Sequence, residues 1–430
     1  MPTDIAQSTL DLFDDLEWRG LIAQTTDRQA LIRDLSEKPR SFYIGFDPTA
    51  PSLHVGNLVV LLVMRRFQLA GHIPLPLVGG ATGLVGDPSG RNEERSMNDK
   101  DVVADWVGRI RSQLEKFLNF SGSNAAIMTN NLDWTAPMSA IEFLRDIGKH
   151  FSVNQMLAKD SVSSRLESGG ISYTEFSYQV LQGMDFLELY RRHDCIVQLG
   201  GSDQWGNIIA GLDLVRKVEQ GSAHAFTIPL MAKADGSKFG KTASGAIWLD
   251  PAMTSPYAFY QFWLNAEDAD VANFLKVFSF KSREEISRLI ETVSTNPGAR
   301  EAQRELAREL TTMVHGASEC EKVEAASKAL FGQGELSDLD EATLAAALSQ
   351  LPKTTIVRGS EIPTWVDLLT ATGVVSSKSA ARRIVSENGA YLNNVKISGE
   401  SFAPSESDLI HGRFLVLRKG KRDLASVELI

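Results

Sequence analysis

Strand-like apolar runs recur through the first half of the chain, separated by helical patterns: Phe42–Phe46, Pro74–Ala81, Ala126–Asn130 and Ile196–Gly201. That alternation predicts βαβ units and a parallel sheet with helices on both faces, a Rossmann-like α/β architecture over residues 1–250. In such sheets ligands bind beyond the carboxyl ends of the strands. Each run is followed by a polar, Gly-rich stretch: YIGFDPTAPS (43–52), GGATGLVGDPSG (79–90), NNLDW (130–134) and GGSDQWGN (200–207). Four such stretches at four strand ends predict one site.

From Thr254 to Leu330 the pattern turns wholly helical, through SREEISRLIETV, AREAQRELARELTTMVHG and SECEKVEAASKALF. Residues 251–333 are therefore expected to form an all-helical domain, and 334–360 a linker with one small helix. The tail, 361–430, restarts with helices at TWVDLLTATG and SKSAARRIVSENG. Strands follow at YLNNVKIS and GRFLVLRKGKRDLASVEL. This is a small α+β unit. No internal repeat is present.

Composition adds little until charge is divided along the chain. The whole carries −10, but residues 361–430 hold nine Lys/Arg against eight Asp/Glu, which leaves −11 on residues 1–360. Only the tail has a balance suited to a polyanion. Cys195 and Cys320 lie 125 residues apart without a CxxC pair, so a disulfide framework or zinc knuckle is not expected and a reducing cytosol fits. No apolar stretch approaches a membrane span. Asp4, Asp11, Asp14, Asp15 and Glu17 replace the cationic start of a signal peptide. The expected location is the cytoplasm.

The loop after the first run concentrates chemistry. Thr49, Ser52, His54 and Asn57 stand at the entrance of a helix starting near His54, where unpaired N–H groups and the positive dipole end collect anions. His54 and Asn57, at i and i+3, share a face, and Gly56 lets a flat group lie against backbone. A plain N-cap with a surface His and a nucleotide-phosphate site both remain open. KADGSKFGKTASG (233–245) puts Lys238, Lys241 and Thr242 in a Gly-spaced loop. It lacks the four-residue spacing of a P-loop and a following helix, so a lysine loop closing over a triphosphate is the better reading.

In TEFSYQVLQGMDFLELYRR (174–192), Tyr178, Gln182 and Asp185 fall at i, i+4 and i+7 on one helical stripe. The stripe is either exposed or answered by a polar ligand, because each such group buried without a partner costs roughly 1–3 kcal/mol.

Taken together, these motifs resemble the tyrosyl-tRNA synthetases of bacterial type, within class I of the aminoacyl-tRNA synthetases. HVGN (54–57) looks like the HIGH signature and KFGKT (238–242) like KMSKS. GDPSGR (86–91), TEFSYQVLQGMD (174–185) and GGSDQWGN fit as well. Asn57 stands for the second His of the signature, and Arg91 where a Lys is usual; an Asn amide can donate the same kind of hydrogen bond.

The resemblance implies that Tyr43 and Asp185 hold the phenolic hydroxyl of L-tyrosine. It gives Tyr178, Gln182 and Asp87 to the ammonium group, and Asp203 and Gln204 to the adenylate ribose and substrate carboxylate. Asp47 would lie near the adenylate, along with Thr49, Gly56 and Gly201. Trp134 and Asn131 would support the pocket wall, although core packing accounts for Trp134 equally well. His54, Asn57, Lys238, Lys241 and Thr242 would act on the phosphates.

ATP is then a substrate, with Mg²⁺ accompanying it and no dedicated protein metal site. The partner is tRNA(Tyr), and a homodimer is implied. The tail resembles an S4-type RNA-binding domain. Lys378, Arg382 and Arg383 fall on one helical face, with Arg418 and Lys419 in the strands, although charge alone leaves a solvated face open. The rivals are a tryptophanyl-tRNA synthetase and an inactive RNA-binding protein on the same scaffold.

Overall fold

The computed structural model describes residues 5–87, 98–159, 162–163, 165–166, 170–237, 239–242, 245–420 and 423–430. The chain divides into two compact units, Met1–Asp250 with Glu267–Ala302, and Pro251–Ala266 with Gln303–Ile430. One division falls at the pattern break 250/251; the other two, at 266/267 and 302/303, lie within the helical stretch, and none falls at 333/334.

The first unit is built on a six-stranded sheet of β1 (Gln24–Thr25), β2 (Ser41–Phe46), β3 (Ile73–Val78), β4 (Thr129–Asn130), β5 (Cys195–Gly201) and β6 (His224–Ile228), in the order β1-β6-β5-β2-β3-β4. All neighbours from β6 to β4 pair in parallel, and β1 adds antiparallel to β6. The four expected strands are present; β1 and β6 complete the sheet. Helices α1 (Val55–Leu69), α2 (Lys100–Leu114), α3 (Tyr173–His193) and α4 (Trp205–Glu219) belong to the same unit. Buried aromatics fill its core, with Phe13, Phe67 and Phe226 meeting edge to face at 5.7–6.2 Å.

α3 and α4 pack most closely at two glycines. A Cβ on Gly183 would lie 2.8 Å from Phe151 Cζ, and one on Gly211 only 3.4 Å from the Gly183 Cα. A Cβ on Gly211 would also come within 3.2 Å of the Phe186 Cβ of α3, so a side chain there would crowd the helix pair, whereas one on Gly183 would displace the Phe151 ring. A two-strand hairpin, β7 (Lys241–Thr242) with β8 (Gly245–Ala246), lies inside the expected lysine loop.

The second unit carries a five-stranded sheet of β9 (Lys353–Ile356), β10 (Ala390–Leu392), β11 (Val395–Lys396), β12 (Phe414–Lys419) and β13 (Asp423–Leu429), ordered β11-β10-β12-β13-β9. Helices α5 (Trp365–Ala371) and α6 (Lys378–Ser386) accompany it. Trp365, Leu369, Leu415, Leu417 and Val427 are buried in one core, and Trp365 donates Nε1–H to the Tyr391 carbonyl at 3.1 Å. β9 lies in the stretch expected to be linker. It pairs in parallel with β13, so the α+β fold begins before residue 361. Pairing with a strand some seventy residues away makes KTTI a strand; its own pattern does not.

Candidate active site

A cleft of about 540 Å³ opens at the carboxyl ends of β2, β3 and β5. Of the expected residues, Tyr43, Asp47, Thr49, His54, Gly56, Asn57, Asp87, Tyr178, Gln182, Asp185, Gly201, Asp203 and Gln204 all line it. Lys238 and Arg91 lie outside the described residues, and for Lys241 and Thr242 only the backbone is described. Three of the four polar stretches therefore line the cleft; NNLDW does not, and reaches it only through the hydrogen bonds of Asn131 and Trp134 to Asp185.

The loop from β2 to α1 is fixed from below by Gln113 of α2. Its Oε1 accepts the Leu53 N–H at 2.9 Å and its Nε2 donates to Ser52 Oγ at 3.1 Å. His54 is the N-cap of α1: Nδ1 accepts the Gly56 N–H at 3.0 Å, while the Asn57 Oδ1 accepts the His54 N–H at 3.1 Å. This reciprocal cap satisfies two helix-end donors. With Nδ1 accepting, the neutral imidazole carries its proton on Nε2. A Cβ on Gly56 would come within 2.8 Å of the His54 ring, so only glycine leaves the ring that position. His54 and Asn57 are thus cap residues of α1, and both also line the cleft.

The stripe on α3 is not exposed. Tyr178 and Asp185 are buried and Gln182 is partly buried. Asp185 Oδ2 accepts from Asn131 Nδ2 at 3.0 Å and Oδ1 from Trp134 Nε1 at 2.9 Å. Burial nevertheless raises its pKa to about 7; the two donors oppose the rise, and the Asp47 and Glu188 charges add to it. Trp134 thus has a polar task beyond packing.

Tyr43, on β2, is 1% exposed, and its hydroxyl has no partner among the described residues. Burial first, then the Asp185 charge, hold its phenol proton firmly on. Gln182 Oε1 and Gln198 Oε1 are likewise buried without a partner among the described residues. Buried polar atoms are rarely left so. Three in one cleft mark where a polar ligand would bind.

Deeper contacts order the other carboxylates. Tyr178 donates its hydroxyl to Asp47 Oδ2 at 2.7 Å, and Thr82 donates to Asp47 Oδ1 at 2.6 Å. Gln204 Nε2 donates to Asp87 Oδ2 at 2.8 Å. Burial raises the Asp203 pKa, opposed by its hydrogen bond from Gln204. Gln198 and Thr82 escaped sequence reading, although a glutamine inside the apolar run IVQLGG was a visible signal. Thr82 gave none.

In the second unit, the cations expected to meet RNA are engaged within the fold. Lys378 pairs with Asp367 at 2.6 Å, Arg382 with Glu400 at 3.7 Å, Arg383 with Glu387 at 2.7 Å and Lys419 with Asp423 at 2.9 Å. Arg418 lies 3.9 Å over the Tyr391 ring. The pairs on α6 are largely solvent-facing, and such pairs hold by roughly 0–1 kcal/mol.

Comparison with known proteins decides the family. The profile for tRNA synthetases class I (W and Y) matches residues 35–332, and that for the tyrosine–tRNA ligase SYY-like C-terminal domain matches 343–427. The tyrosine–tRNA ligase of Streptomyces coelicolor is 62% identical over 421 residues, covering 97% of this chain and 99% of that one. The chain belongs to the tyrosyl-tRNA synthetase family. Among tyrosyl-tRNA synthetases of known structure, the C-terminally truncated mitochondrial enzyme of Aspergillus nidulans is 33% identical. It matches with a TM-score of 0.68 over 76% of this chain and 98% of its own. A second relative, from Streptomyces griseus, is also 62% identical, over 97% of this chain and 98% of its own.

Proposed function

We propose that the cleft forms tyrosyl-adenylate from L-tyrosine and ATP and passes the tyrosyl group to the 3′ end of tRNA(Tyr). As a tyrosyl-tRNA synthetase family member the protein is a ligase joining tyrosine to tRNA. The observation that carries the substrate reading is the buried pair of Tyr43, whose hydroxyl lacks a partner among the described residues, and Asp185, an acceptor fixed by two donors. A phenol hydroxyl both donates and accepts, and so suits a hydroxyl on one side and a carboxylate on the other. A phenylalanine ring would leave both unanswered.

The tyrosine carboxylate is ionised at neutral pH, so it attacks the α-phosphate directly and no general base is needed. A new P–O bond forms, the bond from the α-phosphate to the bridging oxygen breaks, and pyrophosphate leaves. The enzyme's task is alignment and stabilisation of charge on the phosphates. His54 through Nε2–H and Asn57 through its amide would donate to ATP, and Lys238, Lys241 and Thr242 would act on the departing pyrophosphate. Tyr178, Gln182 and Asp87 would receive the ammonium group, and Asp203, Gln204 and Gly201 the ribose and carboxylate end. Mg²⁺ would ride on the ATP phosphates and neutralise their charge, because Asp47, Asp87 and Asp203 are already engaged by Tyr178, Thr82 and Gln204. A ribose hydroxyl of the terminal nucleotide then attacks the adenylate carbonyl, losing its proton as AMP departs.

Lys378, Arg382, Arg383, Arg418 and Lys419 would meet tRNA by exchanging their internal partners for phosphates. A cytoplasmic homodimer completes the reading. Ile141, Leu144, Val153, Leu157 and Tyr173 are exposed within one stretch of chain, an apolar supply that a second copy would cover. Among the described residues no helix is long and apolar enough to cross a membrane. ATP–pyrophosphate exchange tested with all twenty amino acids checks the central proposal. Exchange supported by tryptophan or phenylalanine as well as by tyrosine would refute the pocket assignment.

A further inference from the structure

The helix Asp268–Phe278 supplies no residue to the cleft, yet it is in contact with the lysine loop and with the C-terminal end of α1, the helix that HVGN begins. Asp270, 5% exposed, accepts the Ala234 N–H on Oδ1 at 2.6 Å, which ties down the start of the lysine loop. Halfway along the loop, the Phe239 ring stacks on Phe278 at 5.4 Å and meets Phe274 edge-on at 5.1 Å. Phe239 and Gly240 lie between the two lysines of KFGKT, so the Phe239 ring fixes where the backbone leading into Lys241 runs.

The other end of this helix is bound to α1. Arg66 of α1, 6% exposed, donates to the Ser279 carbonyl at 2.6 Å. Arg19 donates to the Lys276 and Ser279 carbonyls at 2.7 and 2.8 Å. Two guanidinium groups thus satisfy the C-terminal carbonyls of the helix, at the end where its dipole favours cations. At the far end of α1 the loop returns. The Val55 N–H donates to the Ile247 carbonyl at 2.9 Å. Gly240, with φ +76°, passes so close that a Cβ on it would lie 2.7 Å from Val55 Cγ2.

We infer that Asp268–Phe278 is the platform that sets the distance between the HVGN and KFGKT motifs, with Asp270, Phe274 and Phe278 as positioning residues for adenylate formation. They act through Ala234 and Phe239 and touch no substrate. The inference rests on the reading of Lys241 as a group that acts on the phosphates. A lysine aimed at a developing charge works only when its backbone is held, because misplacement of about 1 Å can cost on the order of 100-fold in rate.

A double-mutant cycle on the full-length protein tests this, read by the single-turnover rate of adenylate formation, the tyrosine Kd and the melting temperature. Asp270→Ala should slow the rate by about tenfold or more while leaving tyrosine Kd within about twofold. Asp270→Asn, which keeps an acceptor for the Ala234 N–H, should restore most of the rate. The deciding measurement is Asp270→Ala in the Lys241→Ala background. If Asp270 works through the loop, it slows that variant hardly further, because the group it positions is gone. Multiplicative losses, or a rate loss matched by weaker tyrosine binding, would overturn the inference. A Lys241→Ala protein with unchanged rate would instead overturn the reading of the lysine on which it rests.

Discussion

Trp134 donates its indole N–H to Asp185 Oδ1 at 2.9 Å, from a short helix that follows β4 to the buried face of α3. The bond turns an aromatic wall into an electrostatic support. Without the two donors, burial alone would drive the Asp185 pKa beyond about 7.

The ionised carboxylate is the form that accepts a phenol proton. The tyrosine KM should therefore rise as pH falls through about 7. Linkage gives the opposite sign for the empty protein. Its raised carboxyl pKa contributes stability that is complete below about 3.8 and lost as pH rises through about 7. Tyrosine should then raise the melting temperature more at about pH 8 than at about pH 6, on either side of that pKa, which thermal scans at the two values will read.

Trp134→Phe removes one of the two donors and keeps the ring. It should move the pH dependence of the tyrosine KM upward by about one unit, and weaken tyrosine binding roughly tenfold at neutral pH. A KM profile superimposable on the unaltered protein's would show that the bond does not tune Asp185.

Asp185→Ala should narrow the preference for tyrosine over phenylalanine by roughly 10- to 100-fold or more, since the buried acceptor that punishes a missing hydroxyl is gone. The ratio of kcat/KM values in pyrophosphate exchange measures it.

Arg382→Glu with Arg383→Glu should lower kcat/KM for tRNA charging and flatten its salt dependence, by about 0.7–0.9 in the log–log slope for each phosphate no longer neutralised. Pyrophosphate exchange should be unchanged, because the cleft proposed for ATP and tyrosine is lined by the other unit. Equal losses in both assays would argue for a folding defect.

Gly183→Ala should destabilise the protein by about 1–3 kcal/mol, because the added methyl meets the Phe151 ring at 2.8 Å. Denaturant unfolding followed by circular dichroism should show it, with a weaker tyrosine affinity as α3 shifts.

Much of this arrangement was legible in the chain. The runs at Phe42–Phe46 and Ile196–Gly201 become β2 and β5, and the polar stripe of α3 faces the cleft because periodicity is local information. Distant partners were not legible. The strand at Lys353–Ile356 exists only by pairing with β13. The carboxylates that hold Lys378 and Arg382 lie 11 and 18 residues away. Gln198 could have been found as a polar residue in an apolar strand, whereas Thr82 owes its importance to Asp47 and Asn131 arriving 2.6 and 2.9 Å from it.

The cap at the head of α1 defines what the fourth position of HVGN asks of its side chain. Asn57 gives its oxygen to the His54 N–H, which leaves its amide hydrogens for the cleft. The position thus demands a short side chain with an acceptor at one end and a donor at the other. Asparagine meets that demand, and so does a neutral histidine with its two unlike nitrogens. Aspartate offers no donor and lysine no acceptor. On this geometry the fourth position of HVGN calls for a two-ended side chain, and aspartate or lysine there would lose one of its two contacts.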